Sequence, residues 1–521
     1  MEFHLYSVLT LLATTAGIFR FILYPAFFSP LAKIPNAHWS CSFSPLWILW
    51  MKWSKQENRE VYKHHLEKGP VVRLGPSLVS VNCFEDGLKR IYHGGFPKPD
   101  FYFNGFAVYG TGNLFTIKDN ATHAAQKKAL ANCFSKSSIM SSQSARAASR
   151  DVLFRRLLPL LYNAATLNKP VEVLELNYSY LLDTFVQWQF GQSLRSNLVE
   201  DEKERRFYLD GFLGISKYTF WQYEFPGLIK MLQKIGIYLI PKSVINAFEG
   251  VENWNLEKCD QAQQLLASRE QLSLDDQPVV FEQALKGMSE VTSKPPKAYP
   301  RRLPLASEMF SLNSGAFETS GNTSTYLLYE LSRHPAWQTK LQEELRSLSP
   351  SLKHIPGKVV EIDDMTHPQD IDKLPILHAV LMETLRLWPS VPGGQPRVVP
   401  RPCTLGGYHN IPTGTIVQSY ASVLHRMPDV FPDPHEWKPD RWLNASPEEL
   451  AVMRKWFWGF GSGGRMCLGL HFAYYSIKYL FASIYSNFTT TIHDHGDMEP
   501  SDGYLSSPKG HRLELRFHLV Q

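Results

Sequence analysis

The segment Phe460-Gly461-Ser462-Gly463-Gly464-Arg465-Met466-Cys467-Leu468-Gly469 constrains this chain more than any other part of it. Three readings compete for it. Gly459, Gly461 and Gly464 form a G-x-G-x-x-G, the pattern of a dinucleotide loop. That pattern needs a strand before it, a helix after it and an acid about 20 residues further on. Residues 452–458 make a poor buried strand, and no Asp or Glu lies between Gly464 and Asp494. The match is false. The second reading is a glycine-rich turn around an inert, buried thiol. The third is a thiolate on a metal. Such a sulfur needs backbone N–H groups aimed at it, and glycines let the chain approach a flat cofactor closely. Cys467 also precedes an apolar stretch from Leu470 to Tyr485, whose helix dipole would favour a negative sulfur.

The other cysteines do not compete for that role. The six are widely spread, and no two form a C-x-x-C pair. A disulfide framework is out of place in 521 residues with so few cysteines. A net charge of +5, with no long Lys/Arg run, argues against nucleic acid as a partner. It suits an acidic protein or an anionic membrane surface better.

Residues 5–28 are almost wholly apolar apart from Ser7, Arg20 and three threonines. As a helix they would span roughly 36 Å, enough to cross a bilayer. Arg20 can snorkel to the interface. Glu2 precedes the span and Lys33, Lys52, Lys55 and Arg59 follow it, which places the body in the cytosol. A cleaved signal peptide is the competing reading, weakened by the lack of a basic start. Residues 29–59 form a connector with prolines at 30 and 35, then an aromatic stretch with four tryptophans between Trp39 and Trp53. That stretch suits either lipid contact or core packing.

From residue 60 to 521 no linker divides the chain. Residues 71–74 and 78–81 flank Gly75-Pro76 and predict a hairpin. Helical spacing runs through 125–134, 305–332, 335–347 and 374–387, with short β candidates near 403–418 and 511–519. Ser293 to Pro304 reads as a surface loop. The expectation is one large domain, mainly α with minor β.

The cysteine stretch resembles the haem-binding signature of the cytochrome P450 monooxygenases, which it matches at Phe460, Gly461, Gly463, Arg465, Cys467 and Gly469. Gly459 stands where a proline is common. Other segments resemble the family in the same order. Glu383-Thr384-Leu385-Arg386 is an E-x-x-R, by itself an ordinary helical pair. Trp437-Lys438-Pro439-Asp440-Arg441-Trp442 is similar to the family's aromatic-x-P-E-R segment, with Asp440 for the usual Glu. The resemblance implies a buried Glu383–Arg386–Arg441 network. Gly315-Ala316-Phe317-Glu318-Thr319 is similar to the oxygen-activation motif, with Ala316 for a glycine. An acid and an alcohol inside an apolar helix are costly without partners or a function. The resemblance implies that Glu318 and Thr319 relay protons for oxygen chemistry. His123, Lys127, Arg397 and Arg465 resemble the family's partners for haem propionates, and Phe460 shields the sulfur. Read blind, His123 is more often a surface or core histidine.

By the same resemblance the cofactor is haem b, with Cys467 as the iron ligand. Electrons come from NADPH through a separate cytochrome P450 reductase, and the substrate is a lipophilic small molecule. The expected setting is the endoplasmic reticulum membrane, single-pass, with the catalytic domain in the cytosol. The wording of the chain resembles fungal microsomal enzymes of secondary metabolism acting on polyketide, terpenoid or peptide-derived scaffolds. Substrate contacts are expected from Phe101 to Phe115, from Phe317 facing the iron, and from Val391 to Gln395. A haem-thiolate isomerase or dehydratase, and a haem sensor, stay open as alternatives. Five N-x-S/T sequons occur, at Asn120, Asn177, Asn322, Asn444 and Asn487. A cytosolic body would leave them bare, and Asn322 is expected to be buried.

Overall fold

The computed structural model describes residues 2–268, 272–291 and 302–520. The proline-rich loop expected from Ser293 falls almost wholly outside these residues. The body is mainly helical with minor sheet, and the predicted helices appear as Asn120–Phe134, Arg302–Arg333, Pro335–Leu345 and Pro375–Leu387.

Arg302–Arg333 is the spine of the molecule, 32 residues long and buried over most of its length. It packs along Val173–Phe190. Gly321 permits that contact, because a Cβ there would lie 2.3 Å from the Tyr178 ring. The spine carries many polar residues, and buried polar groups need partners. Tyr178 Oη donates to Asn322 Oδ1 at 2.6 Å, and Asn177 Nδ2 donates to Thr325 Oγ1 at 2.9 Å. Asn322 is therefore buried, as expected. Pro335 ends the spine and opens the next helix at its first turn, where the missing N–H costs nothing.

The predicted hairpin forms as Val71–Gly75 and Leu78–Val81. Ile416–Gln418 pairs parallel to its second strand, and Arg397–Val398 pairs antiparallel beyond that. This four-stranded sheet fixes Arg397 at its edge. A C-terminal hairpin of Phe488–His495 and Leu513–Leu519 gains Val171–Glu172 as a third strand.

At the N-terminus, the α-helix Glu2–Ile18 continues as a wider π-wound turn, Phe19–Phe28, around Pro25. Tyr6–Phe28 has a hydropathy of 1.6 with no buried share, so it is long and apolar enough to cross a membrane. The segment after it is packed into the body: Leu31, Ile34 and Cys41 are buried. Arg73 joins the two. From a fully buried position its guanidinium donates to the Pro25 carbonyl at 2.9 Å and the Pro76 carbonyl at 2.8 Å. It also donates to the Gly75 carbonyl and to both oxygens of Ser42.

Candidate active site

Cys467 lies in a loop just before the helix Leu470–Asn487. Two glycines shape the loop. Gly461 and Gly463 both have φ of +69°, and a Cβ on Gly463 would sit 2.5 Å from the Tyr92 carbonyl. The Cys467 N–H donates to the Phe460 carbonyl at 3.0 Å. The N–H groups of Gly469 and Leu470 point at the sulfur, at the positive end of the helix dipole. Cys467 is exposed, the one free cysteine so classed among the described residues. Enough protein surrounds the sulfur that burial still pushes the thiol up, against the two N–H groups and Lys127. Phe460 packs on Tyr474 at 5.2 Å beside the loop.

A buried ionic network holds this loop from below. Glu383 and Arg386, both 0% exposed, form a bidentate pair at 2.8 Å for each contact. Arg441 Nε donates to the same carboxylate at 3.0 Å, and Trp442 Nε1 at 2.9 Å. The remaining Arg386 N–H groups reach the carbonyls of His425, Pro434 and Glu436. The expected Glu383–Arg386–Arg441 set is therefore present. His425, which sequence reasoning missed, completes the link. Its Nδ1 is 2.9 Å from the Arg386 carbonyl and its Nε2 accepts the Trp458 N–H at 2.6 Å. Burial first, then Arg386, pushes this imidazole down to about 3, so it stays neutral.

The spine touches the cysteine helix and carries the other half of the site. Gly315 is exposed, and an added Cβ would meet nothing within 4 Å. Thr319 Oγ1 donates to the Gly315 carbonyl at 2.8 Å. Ser390 Oγ donates to the Thr319 carbonyl at 2.7 Å and tethers this turn from the side. Glu318 is half-buried, and burial alone pushes its carboxyl up to about 7.

Phe317 is a correction. It was expected to face the iron, but it is fully buried among Tyr178, Tyr208 and Phe212. Two residues along an α-helix turn the side chain by about 200°, so Phe317 and Gly315 occupy opposite faces. Gly315, Ala316 and Thr319 form the open face instead.

The cationic residues gather around one rim. His123 is buried on the helix Asn120–Phe134, and its imidazole is pushed down to about 3 by burial, then by Arg465, Lys98, Lys127 and Arg397. Arg397 is buried, donates to Tyr102 Oη at 2.9 Å and lies over the Tyr92 ring. Lys127 Nζ donates to the carbonyls of Gly464 and Met466, each at 3.1 Å, and so braces the cysteine loop. Arg465 reaches the carbonyls of Ile117, Lys118 and Asp119. Lys98 was missed. It is buried between the Tyr102 and Phe115 rings, 4.2 Å from each, with its ammonium held well below the ordinary range by burial, Arg397 and Arg465. Buried Lys98 and Arg397, with Arg465 beside them, repel one another and suit an acidic cofactor edge. With an accessible thiol braced by N–H groups, the set fits a flat, dianionic macrocycle.

Above this lies an aromatic roof. Phe101 and Phe106 both contact Tyr223, which comes from the short helix Thr219–Glu224. Phe106 also meets Phe115 and Tyr504. The Phe101–Phe115 loop, expected to contact substrate, contributes to this cluster, while Tyr223 and Tyr504 carried no sequence signal. In the Val391–Gln395 turn, Gly393 lies under the backbone of Tyr504, where a Cβ would be 2.6 Å from its Cα.

A thiolate cradle facing an acid–alcohol helix is the architecture of a haem-thiolate oxygenase. The family comparison agrees: the Cytochrome P450 model matches residues 44–515, and the chain belongs to that family. It is accordingly a haem-binding monooxygenase, an oxidoreductase. Among curated relatives, cytochrome P450 monooxygenase FGM1 of Gibberella zeae is 26% identical over 98% of this chain and 96% of its own length. Cytochrome P450 monooxygenase hkm5 of Aspergillus hancockii is 25% identical over 94% of this chain and 91% of its own. Cytochrome P450 monooxygenase atr2 of Stereocaulon alpinum is 26% identical over 92% and 88%.

Proposed function

We propose that this chain hydroxylates or otherwise oxidises a lipophilic small molecule, using molecular oxygen and electrons passed from NADPH by a separate reductase. Haem b bound on Cys467 would supply oxygen activation and C–H oxidation. The residues around it divide the remaining work. Gly469 and Leu470 hold the sulfur's charge with their N–H groups. Lys98, His123 and Arg397 would hold propionates, while Lys127 and Arg465 brace the neighbouring loops. Phe460, whose carbonyl accepts the Cys467 N–H, would shield the sulfur. Phe101, Phe106 and Tyr223 exclude water from above.

The observation that carries the oxygen-dependent reading is Glu318. A carboxyl near 7 can both give and take a proton at neutral pH. Thr319, one residue on, presents its hydroxyl on the open face of the same turn. Fungal relatives support a role in secondary metabolism, and the proposed substrates are polyketide, terpenoid or peptide-derived scaffolds. The apolar N-terminal helix supports a single-pass endoplasmic reticulum enzyme with a cytosolic body.

The test is a reconstitution of the full chain with haem, reductase, NADPH and a metabolite extract from a deletion strain. Product should form only when oxygen, NADPH and reductase are all present. Conversion without oxygen would point to an isomerase or dehydratase. Ligation is read from the carbon monoxide difference spectrum, where an imidazole-type Soret band would reject Cys467.

A further inference from the structure

Away from the haem site, a cavity of 460 Å³ opens where the helix Glu57–Lys68 meets the turn of the C-terminal hairpin. Its walls include Ser54, Lys55, Gln56 and Arg59 from one side and Asp502, Lys509 and His511 from the other. The charges there are unbalanced. Among the described residues, Lys55 and Lys509 form no ion pair. Arg59 stands 3.6 Å from Asp502. That carboxylate is already committed, accepting the N–H groups of Asn58 at 2.8 Å and Arg59 at 3.1 Å. Glu60 is the only other acid in the wall. His511 registers the cationic field: burial first, then Lys55 and Lys217, hold its imidazole below the ordinary value.

The backbone is also unusual. Lys55 (φ 53°) and His511 (φ 47°) both adopt the left-handed region that side chains other than glycine avoid. Among the described residues six non-glycine positions do so, and two of them line this one cavity. Such strain persists where the surroundings enforce it, and it gathers at binding sites. The neighbouring surface indicates what binds. The cavity begins one residue after the helix Leu46–Trp53. On that helix Trp50 and Trp53 lie 5.1 Å apart and are 57% and 53% exposed. Exposed indoles of this kind settle at the headgroup level of a bilayer.

We propose that this cavity is a headgroup site for an acidic phospholipid carrying a phosphomonoester. Two unpaired lysines match its two negative charges, and Arg59 and Gln56 supply further donors. A choline headgroup brings its own cation and would be refused by the same lysines. The proposal rests on the membrane reading of the N-terminal helix for its source of ligand.

The experiment uses the full haem-loaded chain in uncharged detergent, titrated with dioctanoyl phosphatidic acid and followed by calorimetry. One molecule should bind at least tenfold more tightly than dioctanoyl phosphatidylcholine. K55A/K509A should lose at least tenfold, K55R/K509R should retain binding, and an unchanged carbon monoxide spectrum should show that each variant is folded. Equal affinity for both lipids, or unaltered binding by K55A/K509A, would overturn the site. Inorganic phosphate binding as tightly as phosphatidic acid would overturn the lipid source. Membrane seating is read separately, by whether the chain resists alkaline extraction. Extraction with headgroup binding intact would reject the anchor and spare the cavity.

Discussion

At the scale of the residue, Cys467 owes its setting to the glycines around it. Cys467 could be chosen from six cysteines because its glycines solve a packing problem no other thiol has. Gly463 shows why: its left-handed φ and the Tyr92 carbonyl leave no room for a Cβ. Gly463→Ala should therefore cost at least about 1–2 kcal/mol in backbone strain and release haem, measured as a lower haem-to-protein ratio on purification. In the proposed mechanism Glu318 sets a pH dependence. Its raised value means that the folded protein carries the protonated acid up to about pH 7. As a proton donor it should support turnover below that pH and fail as pH rises through it. In Glu318→Gln the rate should drop at least tenfold and that inflection should vanish from the pH profile; an inflection that stays would belong to another group. Lys98 could not be found this way. A lysine between two prolines reads as a surface cation, and only the folded chain brings Arg397, Arg465 and the two aromatic rings around it. Phe317 failed for the opposite reason, since a motif match fixes position along a helix but hides the face on which each side chain emerges.

At the scale of elements, the long periodic helices were legible because amphipathic spacing over many residues is hard to counterfeit. The helix Thr219–Glu224 was not, since six residues have too few turns to carry a period and depend on tertiary contacts. Those contacts are specific. Tyr223 lies directly on Gly105, where a Cβ would be 2.2 Å from its ring, and the adjacent Glu224 pairs with Lys52 at 2.7 Å. Gly105→Leu should wedge the roof open, speeding imidazole binding to the haem several-fold in stopped-flow absorbance while the thiolate spectrum is kept. An unchanged on-rate would mean that ligands enter elsewhere. The E-x-x-R pair shows the limit of local reading. By spacing alone it is an ordinary i, i+3 pair; the family resemblance implied Arg441 and burial, while Trp442 and the three backbone carbonyls that complete the hub emerge only in the fold. Glu383→Ala strands two guanidiniums in the interior and should cost about 3–5 kcal/mol, read from the urea midpoint of the carbon monoxide complex.

Over the whole molecule, a single large domain was legible because no linker interrupts residues 60–521, and the apolar N-terminal span was legible from composition. How the span meets the body was not, because the join depends on one arginine whose acceptors are scattered from Pro25 to Pro76. Arg73→Ala leaves those buried acceptors without a donor, at about 1–3 kcal/mol for each group that water cannot reach. Limited proteolysis should then cut near residues 29–36 in the variant and spare the parent chain; equal resistance would show that Leu31 and Ile34 suffice. The clamp also alters what kind of attachment this is. A body on a loose tether samples every attitude toward the surface beneath it, whereas a body on a bolted strut keeps one heading. On the proposed membrane reading, with Pro25 gripped from inside the sheet, the strut's tilt becomes a property of the catalytic body itself. Each visitor arriving along the surface then meets the same doorway at the same height, and a change in strut length by even one helical turn should shift that doorway rather than merely lengthen a leash.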